Sequence, residues 1–487
     1  MIRAVFVAVL ACLALAVLPV PVRAVAPSAT QIILREATTP ADLRARLAAF
    51  AQRAESGDRA GAGEAWSFMG WSHWRGTRPD SAILAWRRAF ELRGTFEDRY
   101  DLADALLARH SPGDIDEAVP LLEKALPEAQ AQSTKAGSQF QALLAWGKLL
   151  AGELEESRRL FEGVEAEITG QPLWRYRYAR AALTGTDQAK AIVLLRPLAV
   201  ASRGHDGEVM QLIELAAQRL GQRDALDRDL IEKREQRDIV ENRVVTRIEG
   251  RRIKLAASDG FPLAGVLLEA KSPGRHRPAI VLVAPEDTLS DFDSLGVALR
   301  EGGLHTLLLA VRGSGWSVAP PCPLPVAWRG REESMLRRTA LDVRDAVRAV
   351  RVAIRNTDTT GVVVVASRSM ALAGALAAAQ DRRVKALVLL SPDPDPVDRG
   401  ALVAALARRP IPVFIQQTMQ DFPNFELMDL AYRATDQPAS RVSEGRAAGH
   451  GAIAFKQDRR VTPRFALWLR ETLSAPAKKA TPPARPR

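Results

Sequence analysis

Near residue 245 the period of the sequence changes, and no single layer of secondary structure fits both sides of that change. From about 30 to 240, small and apolar residues recur at helical spacing. From about 245 to 475, short apolar runs alternate with helical stretches. A chain of 487 residues has room for about three compact units. Two unlike halves are therefore expected, an all-helical one over 27–240 and an α/β one over 245–475. The 47% hydrophobic and 26% charged content excludes a disordered chain. The formal charge of +11 is spread along the chain with no nucleic-acid motif beside it, so no nucleic-acid partner is expected.

The ends carry their own signals. Arg3 gives residues 1–26 a positive start, 4–17 is apolar, and Pro19 and Pro21 break the run before Ala24-Val25-Ala26, a small-x-small cleavage site. This reads as a signal peptide and implies a periplasmic or secreted protein. The apolar run is short for a membrane span, with an uncleaved anchor as the alternative. Val9-Leu10-Ala11-Cys12 half resembles a lipobox, but Leu stands where a small residue is usual. With the signal removed, no later segment is expected to cross a membrane. Cys12 leaves with it, so Cys322 has no partner for an internal disulfide. Cys322 lies in the Pro-rich run 318–325 with no flanking His or acid, which argues against a catalytic thiol. Residues 476–487 are expected to form a disordered basic tail.

In the helical half, Thr39-Pro40-Ala41-Asp42 has the order of a helix start: cap, Pro at the first position, acid two further on. Segments anchored on Ala82, Ala118, Ser157 and Ala191 align at a period of roughly 34–39 residues. The first copy is the clearest, with Trp66, Met69, Gly70, Ala82, Trp86 and Ala89. The period and these positions resemble the tetratricopeptide repeat, which implies stacked helix pairs and a concave groove. An unrelated helical bundle is the alternative. The groove is read equally as a structural spacer or as a site for a protein partner. The charged run 225–244 reads as a solvated closing helix without a ligand site.

In the second half, 252–257 and 263–270 read as a hairpin around Asp259-Gly260. Apolar runs follow at 279–283, 306–310, 362–365, 384–390 and 413–416, each leading into a helical stretch, with 413–416 expected to be the last strand. Such alternation implies a mostly parallel sheet covered on both faces, with its site at the carboxyl ends of the strands.

The loops after those strands carry the chemistry. Ser367-Arg368-Ser369-Met370-Ala371 stands at a strand-to-helix turn, where a nucleophile elbow would be. Asp421 follows 413–416, and Gly449-His450-Gly451 precedes the last helix. Arg312-Gly-Ser-Gly-Trp-Ser317 follows an earlier strand. The set and its Ser, Asp, His order resemble the α/β-hydrolase superfamily, in particular dienelactone hydrolases and the catalytic domains of prolyl-oligopeptidase-type peptidases, over about 230 residues. The resemblance implies Ser369 as nucleophile, His450 as general base and Asp421 as the acid orienting it, with Asp393 as the alternative acid. It implies an oxyanion donor at the Met370 N–H and a second from the turn holding Glu286 and Asp287.

Two departures accompany it. Ser367 and Ala371 stand where the elbow usually has glycines, and Pro285-Glu286-Asp287 replaces the usual His-Gly, bringing two carboxylates beside the oxyanion hole. His110, His205 and His305 stand apart from the set, and no metal-ligand spacing and no cofactor motif is present in the sequence. The expected function is an exported serine hydrolase cleaving an ester, thioester or amide in an acyl-type small molecule or peptide. The alternative is a catalytically weakened hydrolase-fold scaffold acting through its repeats.

Overall fold

A computed structural model describes residues 27–474 apart from 273, 419–420, 422–424 and 446–448. Residues 1–26, expected to be a signal peptide, and 476–487, expected to be a basic tail, lie outside the described residues. Among those described, twelve helices of eight residues or more precede the sheet. The Thr39 signal works as expected: its hydroxyl accepts from the Asp42 N–H and opens the helix Pro40–Ala54. The repeat anchors Ala82, Ala118, Ser157 and Ala191 are all buried, as are Trp86, Leu122, Phe161 and Leu195 four residues later. Short turns join successive helices, so each apolar face is covered by its neighbours. At Gly70 an added Cβ would fall 2.6 Å from the Trp86 ring, which is why a larger residue cannot stand where Arg59–Arg75 and Pro79–Arg93 meet.

The second half is an eight-stranded sheet. Its strands are β1 (Arg251–Ala256), β2 (Pro262–Leu268), β3 (Arg277–Val283), β4 (Leu304–Ala310), β5 (Val362–Ser367), β6 (Val384–Leu390), β7 (Val413–Thr418) and β8 (Arg441–Gly445). Their order is β1-β2-β4-β3-β5-β6-β7-β8; the β1–β2 and β2–β4 ladders are antiparallel and the others parallel. The central strands are apolar on both faces because helices cover both. A mostly parallel sheet covered on both faces is what the alternating apolar runs implied. One strand differs from the sequence reading: β8 follows β7, because an edge strand written Arg-Val-Ser-Glu-Gly carries no apolar run to betray it.

The halves are packed together. Arg75 of the helical half pairs with Asp398 at 2.5 Å and with Asp395, and Arg329 of the sheet half pairs with Asp104. Leu324, from the long loop after β4, is buried in the helical core. A Cβ at Gly400 would sit 2.2 Å from the Ala37 carbonyl oxygen, so the first helices lie directly on the helix Arg399–Arg408. The charged run lies in the helix Arg223–Arg247, which buries Leu226, Leu230 and Val245 and reaches to the first strand.

Candidate functional site

β5 runs between β3 and β6 and ends at Ser367. The next residue, Arg368, has φ 47°, and a single turn of Arg368–Met370 leads into the helix Ala371–Gln380. A non-glycine residue in the left-handed region is strained, and in a nucleophile elbow the strained corner residue projects into the site. That residue is Arg368. Ser369, to which the sequence reading gives the nucleophile's role, stands one position beyond the corner. Met370 is buried with its side chain in the sheet core.

The turn after β3 closes over this corner. Glu286 accepts two hydrogen bonds from Ser369: the N–H donates to Oε1 at 3.2 Å and the hydroxyl donates to Oε2 at 3.0 Å. Arg368 Nε lies 3.8 Å from Glu286 and its Nη1 lies 3.5 Å from Asp287. The Asp287 side chain is 7% exposed. Burial pushes its carboxyl above the ordinary range and the Glu286 charge adds to that, with Arg368 opposing both. A carboxylate thus occupies the N–H donor facing the site, and a guanidinium stands beside it as counter-charge.

On the other side, the acid and the base of the sequence reading meet. His450 Nδ1 lies 2.6 Å from Asp421 Oδ1. Asp421 is buried, and its second oxygen accepts from the Thr418 N–H and the Ser391 hydroxyl, each at 2.7 Å. The same Ser391 hydroxyl accepts from the Gly451 N–H at 2.8 Å. Gly451 has φ 60°, and a Cβ there would lie 2.6 Å from Ser367 Oγ, so the His450 loop rests on the end of β5. Among the described residues no hydrogen bond joins His450 to Ser369. Asp393, the alternative acid, is exposed, and its backbone N–H donates to the Arg368 carbonyl at 3.2 Å.

Sequence reasoning missed three residues here. Ser391 and Thr418 fix Asp421, and both were visible as polar residues at the carboxyl ends of β6 and β7. Arg368 was visible as the first residue after an apolar strand. The Arg312 motif is structural: Arg312 is buried between Asp259 and Asp342, with bonds of 2.6–2.9 Å. Cys322 is buried, and burial raises its thiol, so it is unreactive.

A cleft of about 740 Å³ opens beside Asp287, between the loops 285–290 and 313–316 and the helix Arg223–Arg247. Lys233, Arg237, Val240 and Val244 form its helical wall, so the charged run does line a concavity. Among the described residues, no helix is long and apolar enough to cross a membrane, and no group of three His, Cys, Asp or Glu side chains is placed to share a metal ion.

No protein-family model matches the chain, and no curated protein matches it. Solved structures similar to it are α/β hydrolases. The α/β hydrolase GrgF from Penicillium sp. sh18 is 14% identical over 46% of this chain and 99% of its own, with a TM-score of 0.37. The 2,6-dihydroxy-pseudo-oxynicotine hydrolase is 14% identical over 63% of this chain and 87% of its own, with a TM-score of 0.36. The Pyrococcus horikoshii acylaminoacyl peptidase is 13% identical over 45% of this chain and 40% of its own, with a TM-score of 0.35. At these values the likeness says nothing of the chemistry; what the chain itself shows is an eight-stranded sheet, mostly parallel, covered by helices.

Proposed function

We propose that this chain is a binding protein built on a hydrolase fold, with its acyl-transfer centre closed by its own charges. One observation carries the reading: Arg368 stands at the corner of the elbow while Glu286 accepts from the Ser369 N–H. Acyl transfer needs a hydroxyl at the corner and free donors for the oxygen that gains negative charge. A guanidinium cannot serve as the nucleophile, and a carboxylate on the donor repels the developing oxyanion. Binding then falls to the clefts where the halves meet, and the stacked helices offer a surface for a protein partner. The leader 1–26 supports a location outside the cytoplasm.

A second reading, a serine hydrolase acting on an ester, thioester or amide through Ser369, is favoured by the His450–Asp421 bond of 2.6 Å. That pair is poised to take a proton from a neighbouring hydroxyl and to hold the resulting imidazolium. For this chemistry Glu286 would have to leave Ser369, its hydroxyl proton passing to His450 as Oγ attacks the carbonyl. Labelling of the mature protein with a fluorophosphonate separates the two. The binding reading expects no adduct. An adduct at Ser369 that Ser369→Ala abolishes, and that His450→Ala nearly abolishes, establishes the hydrolase instead.

A further inference from the structure

The larger of the clefts between the halves, about 1090 Å³, lies over the antiparallel end of the sheet and away from the elbow. None of Ser369, His450, Asp421, Glu286 or Asp287 lines it. Its floor is Ala264 and Pro262 of β2, and its apolar walls include Phe261, Trp316, Pro320 and Met335. Alternation along β1 turns Ile253 and Leu255 toward the sheet core, leaving Arg252 and Lys254 exposed beside the cleft. Arg203 and His205 face it from the helical half, and Arg331 and Arg338 from the helix wall opposite.

The acids around this cleft are already engaged. Asp238 and Glu241 hold Arg203 at 2.7 and 2.6 Å. Asp259 holds Arg312 and Arg338 at 2.7 and 2.6 Å, and Asp342 holds Arg312 from below. The guanidinium of Asp259's partner Arg312 keeps the Asp259 carboxyl ionised, lowering its pKa to about 2. Three cations are left over. Arg252 has no carboxylate at ion-pair distance among the described residues and lies over the Trp316 ring, 4.4 Å from its centroid. Lys254 has no hydrogen-bond or ion-pair partner among them, and Arg331 is bonded only to the backbone carbonyls of Pro321, at 2.7 Å, and Ala327. A positive cleft with an aromatic wall focuses field on an incoming anion and offers its body an apolar surface.

We propose that this cleft binds a small organic anion, a carboxylate or phosphate head on an apolar or aromatic body, with Arg252 and Lys254 taking the head and the apolar walls of the cleft the body. The site is independent of whether Ser369 is acylated. Titration calorimetry of the whole mature chain with phenylphosphonate, phenylacetate and benzylammonium tests it. Both anions, or one of them, should bind with an affinity that falls as salt is raised, while benzylammonium should not bind. The tighter anion identifies the head group. Arg252→Gln with Lys254→Gln should weaken binding by about tenfold or more. Arg159→Gln, on the exposed far helix Leu154–Glu162, should leave it unchanged. Failure of both anions to bind at about 10 mM, equal binding of benzylammonium, or full affinity in a double variant with native thermal unfolding overturns the proposal. These outcomes are separate from the labelling result at Ser369.

Discussion

If charges at the elbow are what silence this site, removing them together should create the activity that neither removal creates alone. Arg368→Ser supplies a hydroxyl at the strained corner, and Glu286→Gly frees the Ser369 N–H. In a working serine hydrolase, loss of the nucleophile costs about 10⁶ in rate, and loss of one oxyanion donor about 10²–10³. With His450 already bonded to Asp421 at 2.6 Å, the double variant should exceed the unaltered protein by about 10³ or more in 4-nitrophenyl acetate hydrolysis. It should also take a fluorophosphonate at position 368. Arg368→Ser alone should stay inactive, because Glu286 still holds the donor. It should also lose about 1–3 kcal/mol of stability, because Asp287, 7% exposed, loses its counter-charge. Glu286→Gly alone should stay inactive for want of a hydroxyl at the corner. The cycle is therefore strongly non-additive. A double variant with the native Tm but neither hydrolysis above background nor an adduct at position 368 would refute the reasoning; Arg368→Ser with Glu286→Ala guards against a backbone effect of the new glycine.

The seam between the halves should respond to pH through Asp398, whose carboxyl burial pushes up to about 6 against the pull of Arg75. Since the folded value lies above the ordinary 3.8, this group's contribution is fully present below about pH 4 and is lost as pH rises through 6, a change of about 3 kcal/mol. Denaturant midpoints measured from pH 4 to 8 should show that slope, and Asp398→Asn should flatten it; an unchanged slope in the variant contradicts the assignment. Ser391→Ala should cost about 1–3 kcal/mol and speed amide exchange at Gly451, because one hydroxyl ties Asp421 to the His450 loop; unaltered exchange would remove Ser391 from that role.

The fold was legible wherever burial leaves a periodic trace. The runs at 279–283, 306–310, 362–365, 384–390 and 413–416 fall inside β3 to β7, because a strand covered on both faces must be apolar throughout. β8 lies at the sheet edge, where one neighbour and partial cover suffice, and its Arg441 and Glu444 leave no such trace. The helix Arg223–Arg247 shows a related limit. Its sequence is dominated by charge, as a solvated face should be, yet three buried residues and its position on the seam make it the wall of a cleft. Periodicity reports how much of a helix is covered, not what lies across from the uncovered part.

The site shows where residue type misleads. Asp421 and His450 were readable because only a few acids and histidines follow the right strands, and the structure joins them at 2.6 Å. The elbow offered two serines around an arginine; the sequence reading took Ser369, and the structure puts the positive φ at Arg368. The backbone makes its own choice: the last ladder pair of β5 is Ser367 opposite Leu390, and the next residue, Arg368, takes φ 47°. The acidic turn at 285–287 lies within reach of that cation, with Glu286 and Asp287 at 3.8 and 3.5 Å from Arg368. The acidic turn and the arginine at the corner, one in each loop, therefore face each other as opposite charges.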